Sequence, residues 1–108
     1  MAEPFDFSGI WRTSYFLADI VARVSQEGNR VWGVVEVIGP LGGKDIYHVK
    51  GRVHGFRVTA WHSNGRTFNG RAVAQDKAEG ILTIKSGDRL SLKAARVAQG
   101  QAGGERPA

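Results

Sequence analysis

The stretch Phe7-Ser8-Gly9-Ile10-Trp11-Arg12-Thr13 opens the first of eight short β-strand patterns and decides the fold. From residue 8 to residue 15 the side chains alternate, and one face carries Gly9, Trp11, Thr13 and Tyr15. Alternation with period two is typical of a strand that buries one face. Because closure removes exposed strand edges, the eight patterns and their short turns predict an all-β fold, an eight-stranded antiparallel up-and-down (meander) β-barrel.

The turn between the second and third strands predicts their register. Residues 27–30 read Glu-Gly-Asn-Arg, a turn signal between strands at 19–26 and 30–38. A two-residue Gly28-Asn29 loop gives inward pairs that are all apolar or small: Val24 with Gly33, Ala22 with Val35, and Ile20 with Val37. Since turn chemistry and hydrophobic pattern agree, the hairpin and its register are predicted together.

The fifth strand receives conflicting signals from the turns at its two ends. A tight turn at His54-Gly55 fixes one count of inward positions, whereas a type I′ turn at Asn64-Gly65 places Trp61 opposite Phe68. Both counts hold if one extra residue is inserted at Thr59-Ala60, as in a β-bulge. We therefore predict a bulge that turns Trp61 into the barrel; without the bulge, Trp61 lies on the outer surface.

The end of the chain contains three more strand patterns and a polar tail. The strands are predicted at 66–75, 80–85 and 89–97, with turns at 76–79 and 86–88. The three-residue loop at 86–88 aligns Ile84 with Leu90, and Leu82 with Leu92. Residues 98–108 are small and polar and bury too little surface to order themselves. We predict one barrel domain over 1–97 and a disordered C-terminal tail over 98–108.

Composition excludes several kinds of chemistry. The 108 residues include no cysteine, which rules out disulfides, thiolate metal sites and thiol nucleophiles. His48 and His54 lie on one predicted outer face roughly 20 Å apart, too far to share a metal ion, and His62 is alone near a turn. The carboxylates are scattered, with no inward pair for acid–base catalysis, and there is no phosphate-binding loop. We predict a non-enzymatic protein without a cofactor or metal.

Charge and end composition bear on partners and compartment. The net charge of +5 permits an acidic partner, although it also serves solubility. No apolar run is long enough to span a bilayer. Residues 1–4 lack the basic and apolar regions of a signal peptide, which predicts a cytoplasmic location if the chain is complete. A periplasmic or secreted location stays open if a signal peptide was removed.

The two ends of the predicted barrel differ in their inward residues. Near the turns at 27–30, 54–55 and 76–79 these residues are small and leave room for the Trp11 indole, which we expect to plug that end. The opposite end carries a set of larger, mostly aromatic residues: Tyr15, Val37, Tyr47, Trp61 and Phe68. Apolar pockets with a few convergent polar groups are typical of barrel mouths. This end is therefore the predicted ligand site, unless the aromatic side chains simply fill the barrel.

Gly9-Ile10-Trp11 at the head of an eight-strand meander resembles the calycins, the group of avidins and lipocalins, and residues 55–61 and 66–70 resemble avidin's fifth and sixth strands. The resemblance covers residues 8–97 and implies a small-molecule site at the mouth, lined by Thr13, Tyr47, Trp61 and Phe68. It also implies a lid made of Gly39, Pro40, Leu41, Gly42, Gly43 and Lys44. The chain departs from avidin at Tyr15, where a small or aliphatic residue is expected, and in having no inward carboxylate on its last strand.

The sequence thus supports one prediction of function and two alternatives. We predict a binding protein for a small apolar or amphipathic ligand, with Thr13, Tyr15, Val37, Tyr47, Trp61 and Phe68 as candidate contacts. The first alternative is a basic outer face that binds nucleic acid or another polyanion through Lys50, Arg52, Arg57 and Arg71. The second is a filled barrel acting as an assembly module; a homo-oligomer is expected from outward Trp32, Val34, Val21 and Val73. An inward Trp61 favours a pocket or core, and an outward Trp61 favours a basic recognition face.

Overall fold

The computed structural model describes residues 3–84 and 86–97, and its eight strands close into one antiparallel barrel in sequence order. The strands are β1 (Gly9–Tyr15), β2 (Ala18–Glu27), β3 (Arg30–Ile38), β4 (Lys44–His54), β5 (Arg57–His62), β6 (Thr67–Ala74), β7 (Lys77–Thr83) and β8 (Arg89–Arg96). Closure comes from β1 pairing with β8 through Trp11–Arg96 and Arg12–Ala95. The predicted fold class is confirmed, and this architecture is consistent with a calycin-like fold. The tail predicted at 98–108 lies outside the described residues.

The hairpin of β2 and β3 has the predicted register. Val24 pairs with Gly33, Ala22 with Val35 and Ile20 with Val37. Gly28 supplies the turn with a φ of 62°, a conformation that costs glycine little. A slip of one residue would turn this apolar face outward, so the hydrophobic pattern and the turn select the same pairing.

The bulge predicted at Thr59-Ala60 is wrong. Strands β4 and β5 pair without interruption from His54–Arg57 to Val49–His62, around a turn at residues 55–56 instead of 54–55. At the other end of β5, the two-residue Asn64-Gly65 turn is replaced by a longer loop. In this loop, His62 N–H donates to the Arg66 carbonyl, and Gly65 N–H donates to the His62 carbonyl. Ala60 consequently faces inward opposite Phe68, and Trp61 lies on the outer face opposite Thr67.

Strands β6 to β8 also differ from prediction in detail. The register shift lies between Ala72 and Ala74, which makes Val73 the bulged residue. Strand β7 begins at Lys77, because the preceding turn is at residues 75–76 instead of 76–79. Leu82 pairs with Leu90, a shift of two residues from the predicted register, since Ile84 belongs to the loop and exchanges backbone hydrogen bonds with it.

One end of the barrel is closed by aromatic side chains. Trp11 is 6% exposed and packs in a core cluster with Phe7, Val31 and Val53, which confirms the predicted plug. Its indole Nε1 donates a 2.8 Å hydrogen bond to the Phe7 carbonyl, so the buried donor is satisfied. Phe5 in the leading segment also packs against this cluster, with its ring 4.7 Å from that of Phe7.

Arg96 fastens the leading segment over the plug. Its guanidinium carbon lies 4.6 Å from the Trp11 ring centroid, and one guanidinium nitrogen donates 2.7 Å hydrogen bonds to the carbonyls of Asp6 and Ser8. The other terminal nitrogen donates to the carbonyl of Gln75. Within the segment, the Ser8 hydroxyl and N–H donate to Asp6 Oδ1, and these bonds lower the pKa of the Asp6 carboxyl.

Gly51 lies where two strands approach closely, and this makes a testable prediction. A Cβ at this position would collide with the Thr59 carbonyl oxygen and stand 2.7 Å from the Ala60 Cα. We expect Gly51→Ala to lower the free energy of unfolding by about 1–3 kcal/mol, because backbone must move to admit the methyl group. Urea unfolding measures it. Gly43→Ala is the matched control, since a Cβ there meets nothing within 4 Å; equal effects in both variants would contradict the prediction.

Candidate functional site

The barrel interior is hollow toward the end opposite the Trp11 plug. A cavity of about 280 Å³ lies there, and its wall is overwhelmingly apolar. Inward side chains of β2, β3, β4 and β8 are only half-buried although they face the interior, because no side chain fills the space between them. The apolar wall is formed chiefly by Ile20, Val35, Val37, Val49, Leu82 and Leu92.

Five of the six predicted ligand contacts are among the residues that line this cavity. They are Thr13, Val37, Tyr47, Trp61 and Phe68, although strand pairing turns the Trp61 side chain outward. The Thr13 hydroxyl donates to the Lys93 carbonyl at 2.7 Å, so its proton is already engaged by the barrel. Tyr15 lies outside the cavity wall, and its ring packs edge-on against the exposed Phe16 with centroids 4.5 Å apart.

Trp61 borders the cavity, but its side chain does not face the barrel interior. It lies on the outer face opposite Lys50, and its side chain is 38% exposed. The neighbouring His62 takes the inward position opposite Val49 and belongs to the cavity wall. The missing bulge explains both placements, because removing one residue from the count exchanges the two faces of the strand.

His62, Tyr47 and Arg66 form the polar group of the cavity. The His62 ring meets the Tyr47 ring edge-on with centroids 5.2 Å apart, and the Arg66 guanidinium lies 5.1 Å from the Tyr47 centroid. His62 Nδ1 is 2.8 Å from the His48 carbonyl oxygen. Since a carbonyl only accepts, Nδ1 carries the proton, and Nε2 of the neutral ring is an acceptor. Sequence alternation missed His62 because of the bulge, and Arg66 because it lies in a turn.

The ring of Phe68 occupies space that two glycines leave inside the barrel. A Cβ on Gly80 would stand 2.5 Å from Phe68 Cζ, and one on Gly70 would stand 2.6 Å from Phe68 Cε2. Small inward residues near the closed end were expected to leave room for the Trp11 indole, but the space at Gly80 is taken by Phe68. The Phe68 ring thereby lies along the sheet and leaves the centre of the cavity open.

The predicted lid loop is a compact turn at the open end. Gly39 N–H donates to the Gly43 carbonyl at 2.8 Å, and Gly42 N–H donates to the Gly39 carbonyl at 3.0 Å. Leu41 at the tip is 98% exposed, so it is not packed over the cavity. Lys44 is already the first residue of β4.

The outer face of β3 to β6 carries the predicted basic residues. Lys50, Arg52, Arg57 and Arg71 are all exposed, and Arg71 forms an ion pair with Glu79 at 3.4 Å. Trp61 joins this face, and Trp32 flanks Lys50 on its other side. Beside it, over β5 to β8, runs an outer groove of about 390 Å³ whose polar lining includes Arg57, Thr59, Asn69, Arg71 and Lys93.

Two of the four apolar residues predicted on the outer surface are well exposed, and two are not. Trp32 and Val73 are about half exposed, as expected for outward residues. Val21 is 8% exposed and Val34 is half-buried, although both were expected to present apolar surface to a partner.

Residues 3–84 and 86–97 contain no group of three or more histidine, aspartate or glutamate side chains arranged to hold a metal ion. Over the same residues there is no helix of the length and apolarity needed to cross a membrane. No protein-family model matches the chain, and no curated protein matches its sequence.

Proposed function

We propose that the barrel binds one small apolar or amphipathic molecule in the cavity between the Trp11 plug and the open end. The observation that carries this proposal is the cavity itself, about 280 Å³ with an almost entirely apolar wall. An apolar cavity of about 150 Å³ stays dry and accepts benzene. A molecule roughly twice that size, such as a two-ring aromatic, would gain free energy by leaving water for this site.

The polar group at Tyr47, His62 and Arg66 indicates which end of such a ligand carries polar atoms. Arg66 supplies positive charge, the Tyr47 hydroxyl donates or accepts, and His62 Nε2 accepts. A ligand with an apolar body and an anionic or hydrogen-bonding head would place that head beside these residues. Recognition of this kind orients a ligand, while the apolar wall supplies most of the affinity.

The resemblance to avidin supports the position of this site and nothing finer. Avidins bind at the same end of the barrel, but the tryptophan wall implied by the resemblance is lost because Trp61 lies outside. Tyr15 also lies outside the cavity wall. We therefore propose a ligand other than biotin, the molecule that avidins bind. Self-association through the outer faces receives less support, since Val21 and Val34 present less apolar surface than expected.

The test is binding of 1-anilinonaphthalene-8-sulfonate, an amphipathic two-ring probe, followed by its fluorescence. We expect one site per chain. Val35→Phe, which adds volume to the cavity wall, should weaken binding by about 5- to 150-fold, the equivalent of about 1–3 kcal/mol, because the probe must then overpack the cavity. Val73→Phe, on the outer face, is the matched control and should bind the probe normally. Many weak sites, or equal affinity in the two variants, would contradict the proposal.

A further inference from the structure

Trp32, Lys50 and Trp61 form a cross-strand row on the outside of the barrel. Trp32 pairs directly with Lys50 between β3 and β4, and Lys50 pairs directly with Trp61 between β4 and β5. Adjacent strands lie about 4.8 Å apart, so the two indoles are held roughly 10 Å apart with an ammonium group between them. The row is fixed by sheet pairing and needs no loop to assemble.

The two tryptophans of the row are more exposed than tryptophan usually is in a folded protein. Trp32 is 47% exposed and Trp61 is 38% exposed, so each offers ring surface to solvent. The ion pairs of the described residues are Arg23–Glu36, Lys44–Glu36 and Arg71–Glu79. Within that set Lys50 has no carboxylate partner, and its charge remains available to an anion.

Like charges are paired across neighbouring strands beside this row. Arg30 lies directly opposite Arg52, and Arg57 lies directly opposite Arg71, whose charge is partly offset by its ion pair with Glu79. Like charges in direct cross-strand pairs destabilise a sheet. A polyanion lying on this face would relieve that repulsion, whereas a second copy presenting the same face would add to it. Charge complementarity therefore selects a polyanion over self-association.

The indoles select among polyanions. Aromatic side chains on a basic surface stack unpaired nucleic-acid bases, and bases inside a duplex are not accessible to such stacking. A sulfated polysaccharide offers charge without a flat aromatic partner. The neighbouring outer groove continues the face with Arg57 and Arg71 for phosphates and with Thr59 and Asn69 for hydrogen bonds.

We propose that the outer face of β3 to β6 is a binding site for single-stranded nucleic acid. Two bases stack on Trp32 and Trp61, and the phosphate between them is held by Lys50. The strand then continues past Arg52 toward the groove, where Arg57 contacts a further phosphate. Strand pairing turns the side chains of this row to the outer face. Trp32, Lys50 and Trp61 are also among the residues that border the cavity, so the two sites lie on opposite faces of one barrel wall.

The test uses a fluorescein-labelled oligodeoxythymidylate of about 12 nucleotides, within the site sizes typical of such surfaces, and follows anisotropy at several salt concentrations. Trp32→Ala and Trp61→Ala should each weaken binding by about 5- to 150-fold with little change in salt dependence. Trp61→Phe, which keeps a ring, should lose less. Lys50→Gln should reduce the slope of log affinity against log salt by about 0.7, the value for one phosphate contact on a single strand.

Two variants far from this face serve as controls. Phe16→Ala removes an exposed aromatic ring at the loop after β1, and Arg12→Gln removes a positive charge on the outside of β1. Both should bind the oligonucleotide like the wild type. Normal binding by both tryptophan variants would overturn the proposal, as would equal losses in the control variants. So would a duplex of the same length, or heparin, that binds more tightly and independently of the indoles, or dimerisation that the tryptophan variants abolish without any oligonucleotide binding.

Discussion

Replacing Trp11 with alanine is expected to lower the free energy of unfolding by about 3–5 kcal/mol. The indole is 6% exposed and fills the closed end of the barrel against Phe7, Val31 and Val53. Its removal leaves a cavity and deprives the Phe7 carbonyl of its hydrogen-bond donor. It also removes the ring beneath Arg96. Since small domains are marginally stable, a loss of this size brings the chain close to unfolding at 37 °C.

Urea unfolding followed by far-UV circular dichroism measures this change without relying on the fluorescence of the residue removed. Trp32→Ala is the matched control, because it deletes the same side chain from an outward position that is 47% exposed. That variant should lose less than about 1 kcal/mol, as is usual for surface substitutions. Similar losses in the two variants would show that the plug does not hold the barrel closed.

The parts of the fold that the sequence predicted are those in which two independent signals agree. The β2–β3 hairpin has a glycine turn and an apolar face that require the same register, and the structure has that register. The position of Trp11 followed from alternation together with small residues across the barrel. The leading segment was missed because Phe5 stands alone in a polar stretch, with no periodic neighbour to show that it packs on the plug.

The fifth strand shows why an error of one residue costs more than an error of two. The sequence is compatible with either a bulge at Thr59-Ala60 or a longer loop at residues 63–66. No residue in this stretch distinguishes between the two structures. The wrong choice exchanged Trp61 with His62 between the two faces. The β7–β8 register was also wrong, but by two residues, so Leu82, Leu90 and Leu92 stayed on the inner face.

The candidate site residues were predicted correctly where the inward and outward positions of their strand were predicted correctly. Thr13, Val37, Tyr47 and Phe68 line the cavity because their strands have the predicted parity. Arg66 escaped prediction because turn residues have no alternation from which to infer direction. With the Trp61 side chain facing outward, the criterion drawn from the sequence favours the basic face. The proposed ligand site is supported by the volume and the apolar wall of the cavity. The oligonucleotide and the fluorescent probe therefore test two different surfaces of one barrel.

Arg96→Met is expected to lower the free energy of unfolding by about 2–4 kcal/mol, although the substitution keeps an unbranched apolar stem. Arg96 donates to the carbonyls of Asp6, Ser8 and Gln75, which belong to two segments distant in sequence. It also covers the Trp11 ring. Methionine keeps the apolar contact but leaves three carbonyl acceptors without this donor. Urea unfolding measures the loss, and Arg89→Met, at the exposed start of β8, is the matched control with an expected change below about 0.5 kcal/mol.

Arg96→Lys separates charge from geometry. Lysine keeps the positive charge but presents it as a compact ammonium, which cannot reach three carbonyls placed around a planar guanidinium. We expect this variant to recover less than half of the stability lost in Arg96→Met. Full recovery would mean that charge alone fastens the segment. A double-mutant cycle of Arg96→Met and Trp11→Leu, which removes the aromatic ring, should give a coupling energy of about 0.5–1 kcal/mol, the value for a cation over an aromatic ring. A coupling energy of zero would show that Arg96 and the Trp11 plug stabilise the barrel independently.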